Sequence, residues 1–427
     1  MLDPNQLVDD FNTTEKALSR KGVSSTLIVD ARDSIIRKRE LSRSLEVMQA
    51  EVNKASKQIG TMMRAGKKEE AENLKKDIAT KKAGIQENES LVKEAEEASQ
   101  LLLSEIPNLP LDEVPEGQSD ADNKVLRHEL FDEKTHTRAH ATPHWDIADS
   151  LGILDNQRAA KLSGSMFSIL RGDGARLLRA LVQFGLDLHR ARYEELVVPH
   201  FVRTSTLEST GHLPKFADDA FHMSRDELWA IPTGEVPLTA YHSNEILSID
   251  DLPKRYMAYT SCFRREAGSA GKETRGLQRL HEFHKVELVQ LVTPEDGLTA
   301  FDSLLHDCEK TLQALKLPYR VLDLCAGDLT FSSAKMHDLE VYSPGVDRWL
   351  ECSSVGLFTD FQMRRASIRF KRTKKSKPEL AYSLNGSGIA TPRIIAALLE
   401  NGLQKDGRVL LPEVLHDYMK QTHLEKN

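Results

Sequence analysis

Residues 263–292 read FRREAGSAGKETRGLQRLHEFHKVELVQLV, and their pattern decides the fold. The apolar run YMAYTSCF (residues 256–263) leads into this stretch and VELVQLV (residues 286–292) closes it, so two strands bracket a small-residue loop. The loop region carries Arg264, Arg265, Lys272, Arg275 and Arg279. Guanidinium forks bind phosphate oxygens in pairs, and Gly268, Gly271 and Gly276 let the backbone fold over a ligand. Glu266 and Glu287 lie within this positive segment, which suits a ligand that also has cationic or hydrogen-donating parts. On composition alone, a basic hairpin on a solvated surface fits equally well.

A chain of 427 residues accommodates two or three domains with a substantial core. No apolar run approaches the roughly 20 residues that span a bilayer, so no membrane association is expected. The N-terminal MLDPNQLVDDFNTTEK has neither a signal nor a transit pattern. Cys262, Cys308, Cys325 and Cys352 are scattered without a CxxC pair, fitting neither a disulfide framework nor a zinc site. A cytoplasmic enzyme without zinc is the expectation. The net charge of −7 argues against a protein that coats nucleic acid by bulk electrostatics; any RNA must be held by local basic faces.

Residues 30–104 differ in character from the rest. Leu41, Leu45, Met48, Val52, Ala55, Ile59 and Met62 recur at alternating spacings of four and three, a heptad seam. The pattern resumes after Gly66 with Leu74, Ile78, Ile85, Val92 and Ala95, although Lys81 and Asn88 occupy seam positions. The two runs predict an antiparallel helical hairpin. Helices of about 30 to 35 residues would reach roughly 45 to 50 Å. Such a hairpin serves as a dimerisation coiled coil, a spacer or an RNA-touching arm. Arg37, Lys38, Arg39, Arg43, Lys54, Lys57, Arg64, Lys75 and Lys76 offer basic stripes, densely interleaved with acids.

The following IPNLPLDEVPEGQSDADNK (residues 106–124) is a linker or an extended strap. GDGARLLRALVQFGLDLHRAR predicts a helix after the Gly172–Gly174 turn, with Leu177, Leu181, Phe184 and Leu188 on one face, followed by ELVVPHF as a strand broken at Pro199. Further stretches carry candidate chemistry: GHLPKFADDAFHM (residues 211–223), IPTGEVPLT (residues 231–239), ECSS (residues 351–354) and SLNGSGIATPR (residues 383–393). In the last, Thr391 is a candidate N-cap and Pro392 fits the first turn of a helix ending at Gly402. KRTKKSK (residues 371–377) reads as a solvated hairpin tip, with RNA contact as the alternative.

In order and spacing these segments resemble the seryl-tRNA synthetases of bacterial type, a family of class II aminoacyl-tRNA synthetases. The resemblance rests on FRxEAGSxGxxTRGLxRxHxFxKVE as motif 2 (about 256–292), with motif 1 at about 172–201 and motif 3 at about 383–402. It covers nearly the whole chain. It implies an α+β fold: an antiparallel β-sheet flanked by helices, with an N-terminal antiparallel two-helix coiled-coil arm. The implied domains are residues 1–108, a tRNA-binding domain with the arm at about 30–104, and residues 109–427, the catalytic domain.

Residue by residue, the resemblance implies that Arg264 and Arg393 are catalytic. Arg264 would grip the ATP α-phosphate and the serine carboxylate, Glu266 the adenine edge, Arg279 and Arg393 the far phosphates, while Phe283 stacks on the base. Arg265, Glu351, Cys352, Ser353 and Ser354 would complete the ATP site, with Glu351 and Ser354 ligating Mg²⁺. Thr233, Gly234, Glu235, Arg264, Glu287 and Ser387 would bind serine. Val355-Gly356-Leu357 departs from the family's usual Ser-x-Ser-Asn continuation and removes polar groups beside the metal pair. The implied partners are ATP, L-serine and tRNA(Ser), with tRNA(Sec) as a further acceptor the family admits, and a homodimer as working unit. His281 and His284 are expected to be structural, and Lys272 and Arg275 are left for the tRNA acceptor end. Two rivals stay open: an enzyme that passes the activated amino acid to a carrier, and a non-catalytic RNA-binding relative.

Overall fold

The computed structural model describes residues 1–136, 142–268 and 275–426; Gly271 and Lys272 of the basic loop lie outside them. The chain divides into two compact units, Met1–Pro107 and Asn108–Asn427.

In the first unit, two short helices, Pro4–Asp9 and Phe11–Arg20, precede α1 (Ser25–Arg64) and α2 (Lys68–Glu105). Ser24 caps α1, its hydroxyl oxygen accepting the Leu27 N–H at 3.3 Å. Gly66, at φ +77°, supplies the left-handed residue of the reversal. Ile28, Ala31, Ile35 and Val52 of α1 are buried, as are Ala71, Ile78, Ala95 and Leu103 of α2. The seam's polar residues are accommodated differently. Lys81 turns out to Glu51 of α1 (2.5 Å), whereas the Asn88 amide stays half-buried and donates to the Gly84 carbonyl (3.3 Å). The helices are 40 and 38 residues long, so each reaches roughly 60 Å rather than the expected 45 to 50 Å. The reason lies outside the heptad run. At the open end of the hairpin burial continues through Ile28, Ala31 and Ile35 of α1 and Leu103 of α2, which carries both helices past the legible repeat.

The second unit is built on an eight-stranded sheet. Its strands are β1 (Lys124–Glu129), β2 (Glu194–Glu195), β3 (Lys254–Phe263), β4 (Glu282–Val292), β5 (Tyr319–Asp323), β6 (Lys335–Ser343), β7 (Arg348–Leu357) and β8 (Tyr382–Ala390), in the spatial order β1-β5-β6-β7-β8-β4-β3-β2. Every pair is antiparallel except β2 with β3. One face is covered by α3 (Asp173–His189), α4 (Gly297–Ala314) and α5 (Thr391–Gly402). Leu177, Phe301 and Ile394 from these helices share a core with Val286, Leu288, Leu339, Val355 and Ile389 of the sheet. Alternation along each strand then turns Lys285 and Glu287 to the opposite face. The acidic, proline-rich segment is an extended strap. Its Asn108 and Leu111 N–H groups donate to the Phe331 and Ala334 carbonyls.

Two local expectations are corrected. The ELVVPHF run does not form a strand of its own length: only Glu194–Glu195 pairs with β3, followed by one bond from the Leu196 N–H to the Met257 carbonyl. Proline cannot donate to a ladder, and Val197 stands 97% exposed. Thr391 is the first residue of α5 rather than its cap, which is Ala390. The Thr391 hydroxyl instead donates to the His284 carbonyl, tying α5 to β4.

Candidate active site

Register makes the site. Ser387 on β8 lies opposite Glu287 on β4, and Lys285 lies opposite Thr260 on β3. Cross-strand partners share a face, so these side chains meet on the side of the sheet away from the helices. On the other wing, Glu351 is paired with Glu340 and Ser354 with Asp338. Residues three apart in a regular strand point to opposite faces. Here a bulge between these pairs leaves Cys352 unpaired, which restores Glu351 and Ser354 to one face. The same bulge sends the Cys352 and Ser353 side chains the other way. Cys352 joins the core, and the Ser353 hydroxyl donates to the Ser387 carbonyl. Both residues border the site, but their side chains are committed elsewhere, which leaves only backbone for the ATP contacts expected of them.

Two adjoining cavities open on this face. One, of about 320 Å³, is lined by Thr233, Glu235, Arg264, Lys285, Glu287 and Ser387, among others. The other, of about 80 Å³, is bounded by Arg264, Glu266, Arg279, Phe283, Glu351 and Arg393, among others. Arg264, Lys285, Glu351 and Ser387 line both. A larger cavity of about 610 Å³ lies between α3 and the Phe283–His284 stretch, but neither Arg264 nor Glu287 borders it; chemistry, not volume, locates the site.

In the first cavity the Thr233 hydroxyl donates to Glu287 Oε2 (3.1 Å) and accepts the Glu235 N–H (3.2 Å). Lys285 forms a buried ion pair with Glu287. Gly234 permits this close approach: a Cβ there would sit 3.1 Å from the Glu287 Cβ. Glu235 accepts from Gln362 Nε2 at 2.6 Å. Burial, and then the charge of Glu287, push its pKa up to about 7, with Gln362, Lys285 and Asn385 limiting the rise. His212, on the same wall, is driven down to about 3 by burial and by Arg264 and Lys285, so its imidazole is neutral.

In the second cavity the Arg264 guanidinium lies 5.1 Å from the centre of the Phe283 ring. Arg279 pairs with Glu266 at 2.8 Å, and Arg393 reaches Glu351 at 3.3 Å. Burial raises the Glu351 carboxyl, but Arg393 and Arg264 outweigh it and hold the group below the usual carboxylate range. Next to it, burial and Glu351 keep Asp338 well above that range. The Ser354 hydroxyl donates to Asp338 Oδ1 at 2.6 Å, which leaves the serine lone pairs directed elsewhere. Among the described residues no group of three or more His, Cys, Asp or Glu side chains is arranged to hold a metal. One ionised carboxylate and one hydroxyl, both hard oxygen donors, nevertheless suit an ion that takes its remaining ligands from phosphates and water.

His281 and His284 are built into the scaffold. His281 Nδ1 lies 3.0 Å from the Arg264 carbonyl, and His284 Nδ1 lies 3.0 Å from the Tyr259 hydroxyl. Arg275 places its guanidinium 5.4 Å from the centre of the Trp145 ring. Four polar residues of the site were missed in the sequence: Lys285, Gln362, Asn385 and Asp338. Strand parity carried a signal for two of them, since Lys285 and Asn385 stand two residues from Glu287 and Ser387. Nothing local marked Gln362 or Asp338.

Gly276 closes the loop at φ +69°, and an added Cβ would overlap the His144 imidazole and lie 3.0 Å from Trp145 Cε3. That imidazole accepts the Leu277 N–H (3.0 Å) and bonds through Nδ1 to Glu400 (3.0 Å). Gly276→Ala is therefore expected to cost about 2–4 kcal/mol, from left-handed strain plus the clash. Denaturant unfolding of the variant against the parent protein checks this, and an unchanged midpoint would contradict it.

Comparison with known proteins agrees along the whole chain. A family model described as the seryl-tRNA synthetase N-terminal domain matches residues 1–110. One described as the tRNA synthetase class II core domain (G, H, P, S and T) matches residues 220–402. Among relatives, the serine--tRNA ligase of Salinibacter ruber is 45% identical over 98% of both chains. That of Bacillus subtilis is 43% identical over the full length of both. The crystal structure of seryl-tRNA synthetase from Pyrococcus horikoshii complexed with ATP superposes with a TM-score of 0.93 at 31% identity, covering both chains completely.

Proposed function

The chain belongs to the seryl-tRNA synthetase family and is a serine--tRNA ligase, and we propose that it works through the double cavity around Arg264. One observation carries this reading: Arg264, Lys285, Glu351 and Ser387 border both the Glu235–Glu287 cavity and the Glu266–Arg279 cavity. An amino acid in the first and a nucleotide in the second would meet at that wall.

Serine binds with its ammonium toward Glu235 and its hydroxyl among Thr233, Glu287 and Ser387. Its carboxylate, already ionised at neutral pH, faces Arg264 and needs no general base. ATP lies along Glu266, Phe283 and Arg279, with its phosphates between Arg264 and Arg393. The serine carboxylate attacks the α-phosphorus in line, and Arg264 offsets the charge that builds on the equatorial oxygens. Pyrophosphate leaves against Arg279 and Arg393. The terminal adenosine hydroxyl of tRNA(Ser) then attacks the seryl-adenylate carbonyl, and AMP departs. Glu351 and Ser354 would hold Mg²⁺, whose positive charge, when bound, offsets the ATP phosphates. Alanine is refused because Thr233, Glu287 and Ser387 would be left without their hydroxyl partner.

A homodimer is the working unit of this reading. Past the short β2, the nearly bare Val197 and the half-exposed Phe201 present apolar surface that a second copy would cover. Among the described residues no helix is long and apolar enough to cross a membrane; a cytoplasmic location is part of this proposal. tRNA(Sec) is a second acceptor in this proposal.

ATP–pyrophosphate exchange with each amino acid, followed by charging of tRNA(Ser), tests the reading. Serine-dependent exchange and charging are expected. No serine-dependent exchange would sink it, and exchange without charging would favour a carrier protein as acceptor.

Glu235 adds a pH dependence. Its pKa of about 7 belongs to the free site, and an ammonium bound beside it favours the ionised form. Serine affinity is therefore full above that pKa and lost as pH falls through it. The KM for serine is expected to rise about tenfold between pH 8 and pH 6, whereas Glu235→Gln should bind weakly with a flat profile. A flat parental profile would remove Glu235 from ammonium binding.

A further inference from the structure

The segment GHLPKFADDAFHM, residues 211–223, lines the first cavity through His212 and its neighbours, and it also grips the nucleotide wall at its base. Its Asp219 makes two bonds to the start of the basic loop. The Asp219 carbonyl accepts the Arg265 N–H at 2.8 Å, and its carboxylate Oδ1 accepts the Ala267 N–H at 3.0 Å. Two positions on, the Phe221 ring lies 5.6 Å from the Arg265 guanidinium. Between the two clasped N–H groups stands Glu266, whose backbone is left-handed at φ +51°.

A glutamate adopts that conformation at a cost, because its Cβ crowds the neighbouring carbonyl, and it persists only where the surroundings over-determine it. Asp219 supplies that determination from both sides of Glu266. The twist aims the Glu266 carboxylate at Arg279, 2.8 Å away, on the wall assigned to ATP. Without the clasp the chain would relax toward ordinary backbone angles, and the carboxylate would swing off that wall.

We propose that Asp219 is a positioning residue for the nucleotide: it holds the left-handed turn that presents Glu266 and, through Glu266, Arg279. Asp219 also borders the cavity assigned to serine, but both of its bonds described here run to the nucleotide loop, so it acts on ATP through Glu266. The inference rests on the reading of the Glu266–Arg279 cavity as the ATP site.

Four variants of the full-length enzyme test it: Asp219→Ala, Asp219→Asn, Glu266→Ala and the double Asp219→Ala/Glu266→Ala. Each is measured by serine-dependent exchange as a function of ATP and of serine. Asp219→Ala is expected to raise the KM for ATP about tenfold and to move the KM for serine less than about twofold, since the displaced group faces the nucleotide. Asp219→Asn should recover most of the loss, because its amide oxygen can accept the same N–H. The double variant should be little worse than Glu266→Ala alone, the non-additivity of residues acting as one unit. If Asp219→Ala does not fold, Asp219→Ser, whose hydroxyl falls short of the Ala267 N–H, takes its place. An unchanged KM for ATP in Asp219→Ala, no recovery in Asp219→Asn, or full additivity in the double variant would each overturn the proposal. A Glu266→Ala enzyme with unaltered ATP dependence would instead overturn the underlying reading of the ATP site.

Discussion

Arg264→Ala is expected to lower serine-dependent ATP–pyrophosphate exchange by about 10³-fold or more, equivalent to roughly 4 kcal/mol of transition-state stabilisation. Among the described residues lining the two cavities, the other Lys and Arg side chains already face a carboxylate. Lys285 is committed to Glu287 in a buried ion pair, Arg279 to Glu266 and Arg393 to Glu351. The Arg264 N–H and carbonyl are both tied to His281, so the guanidinium stands on a braced strand end beside Phe283. Its removal also withdraws one of the charges that keep Glu351 ionised. The loss should therefore extend to the phosphate end of the site. Arg264→Lys should recover little, because a point charge cannot bridge a carboxylate and a phosphate as a planar fork does. Single-turnover formation of seryl-adenylate under saturating ATP and serine separates the chemical step from binding. A loss smaller than about tenfold would remove Arg264 from the reaction.

Deleting about residues 30–104, with a short loop in their place, is expected to leave exchange within about twofold while reducing tRNA charging by about 10³-fold. The arm belongs to a separate compact unit, and every side chain named in the double cavity belongs to the other. What the arm offers is length and charge. Some of its basic residues are held by acids, as in Lys38 with Glu96 (2.7 Å), Lys75 with Glu72 (2.6 Å) and Arg39 with Asp9 (3.6 Å). Such exposed pairs are worth little, so their cations can be given up to RNA phosphates, which supply most of the affinity in RNA binding. Charging in the deletion should also lose its salt sensitivity. An equal fall in exchange and charging would contradict the assignment of the arm to tRNA.

Much of this was open to a reader of the sequence. The α1–α2 hairpin announced itself because a two-helix seam repeats locally, every three and four residues, and needs no distant partner to be recognised. β3 and β4 were legible because apolar runs flanked a glycine-rich basic loop. What failed was whatever depended on register across strands. The bulge at Cys352 cannot be seen in ECSS, yet it decides that Glu351 and Ser354 share a face and that Cys352 and Ser353 do not. Asp338 had no mark of its own; it matters because it is registered opposite Ser354. The ELVVPHF strand, expected to break at Pro199, fell short for a related reason: its apolar residues suit a strand, but β3 offers pairing only to its start, and past the proline Phe201 pairs with Ala230 in a separate sheet.

By itself the sequence determined the kinds of groups present and the elements that carry them: cationic residues on a glycine-rich turn, carboxylates along strands, a heptad arm, a proline-led helix at the end. These are local properties, set by side-chain chemistry and by periods of 2 and 3.6 residues. Only the tertiary structure decided which groups face one another. Arg264 became the wall between two cavities, Glu235 was lifted to a pKa of about 7, and Asp219 came to clasp a loop almost fifty residues further on. Each is a matter of strand register and burial. Both are set by the packed core, in which contacts between distant segments choose one alignment from many that local preference allows equally.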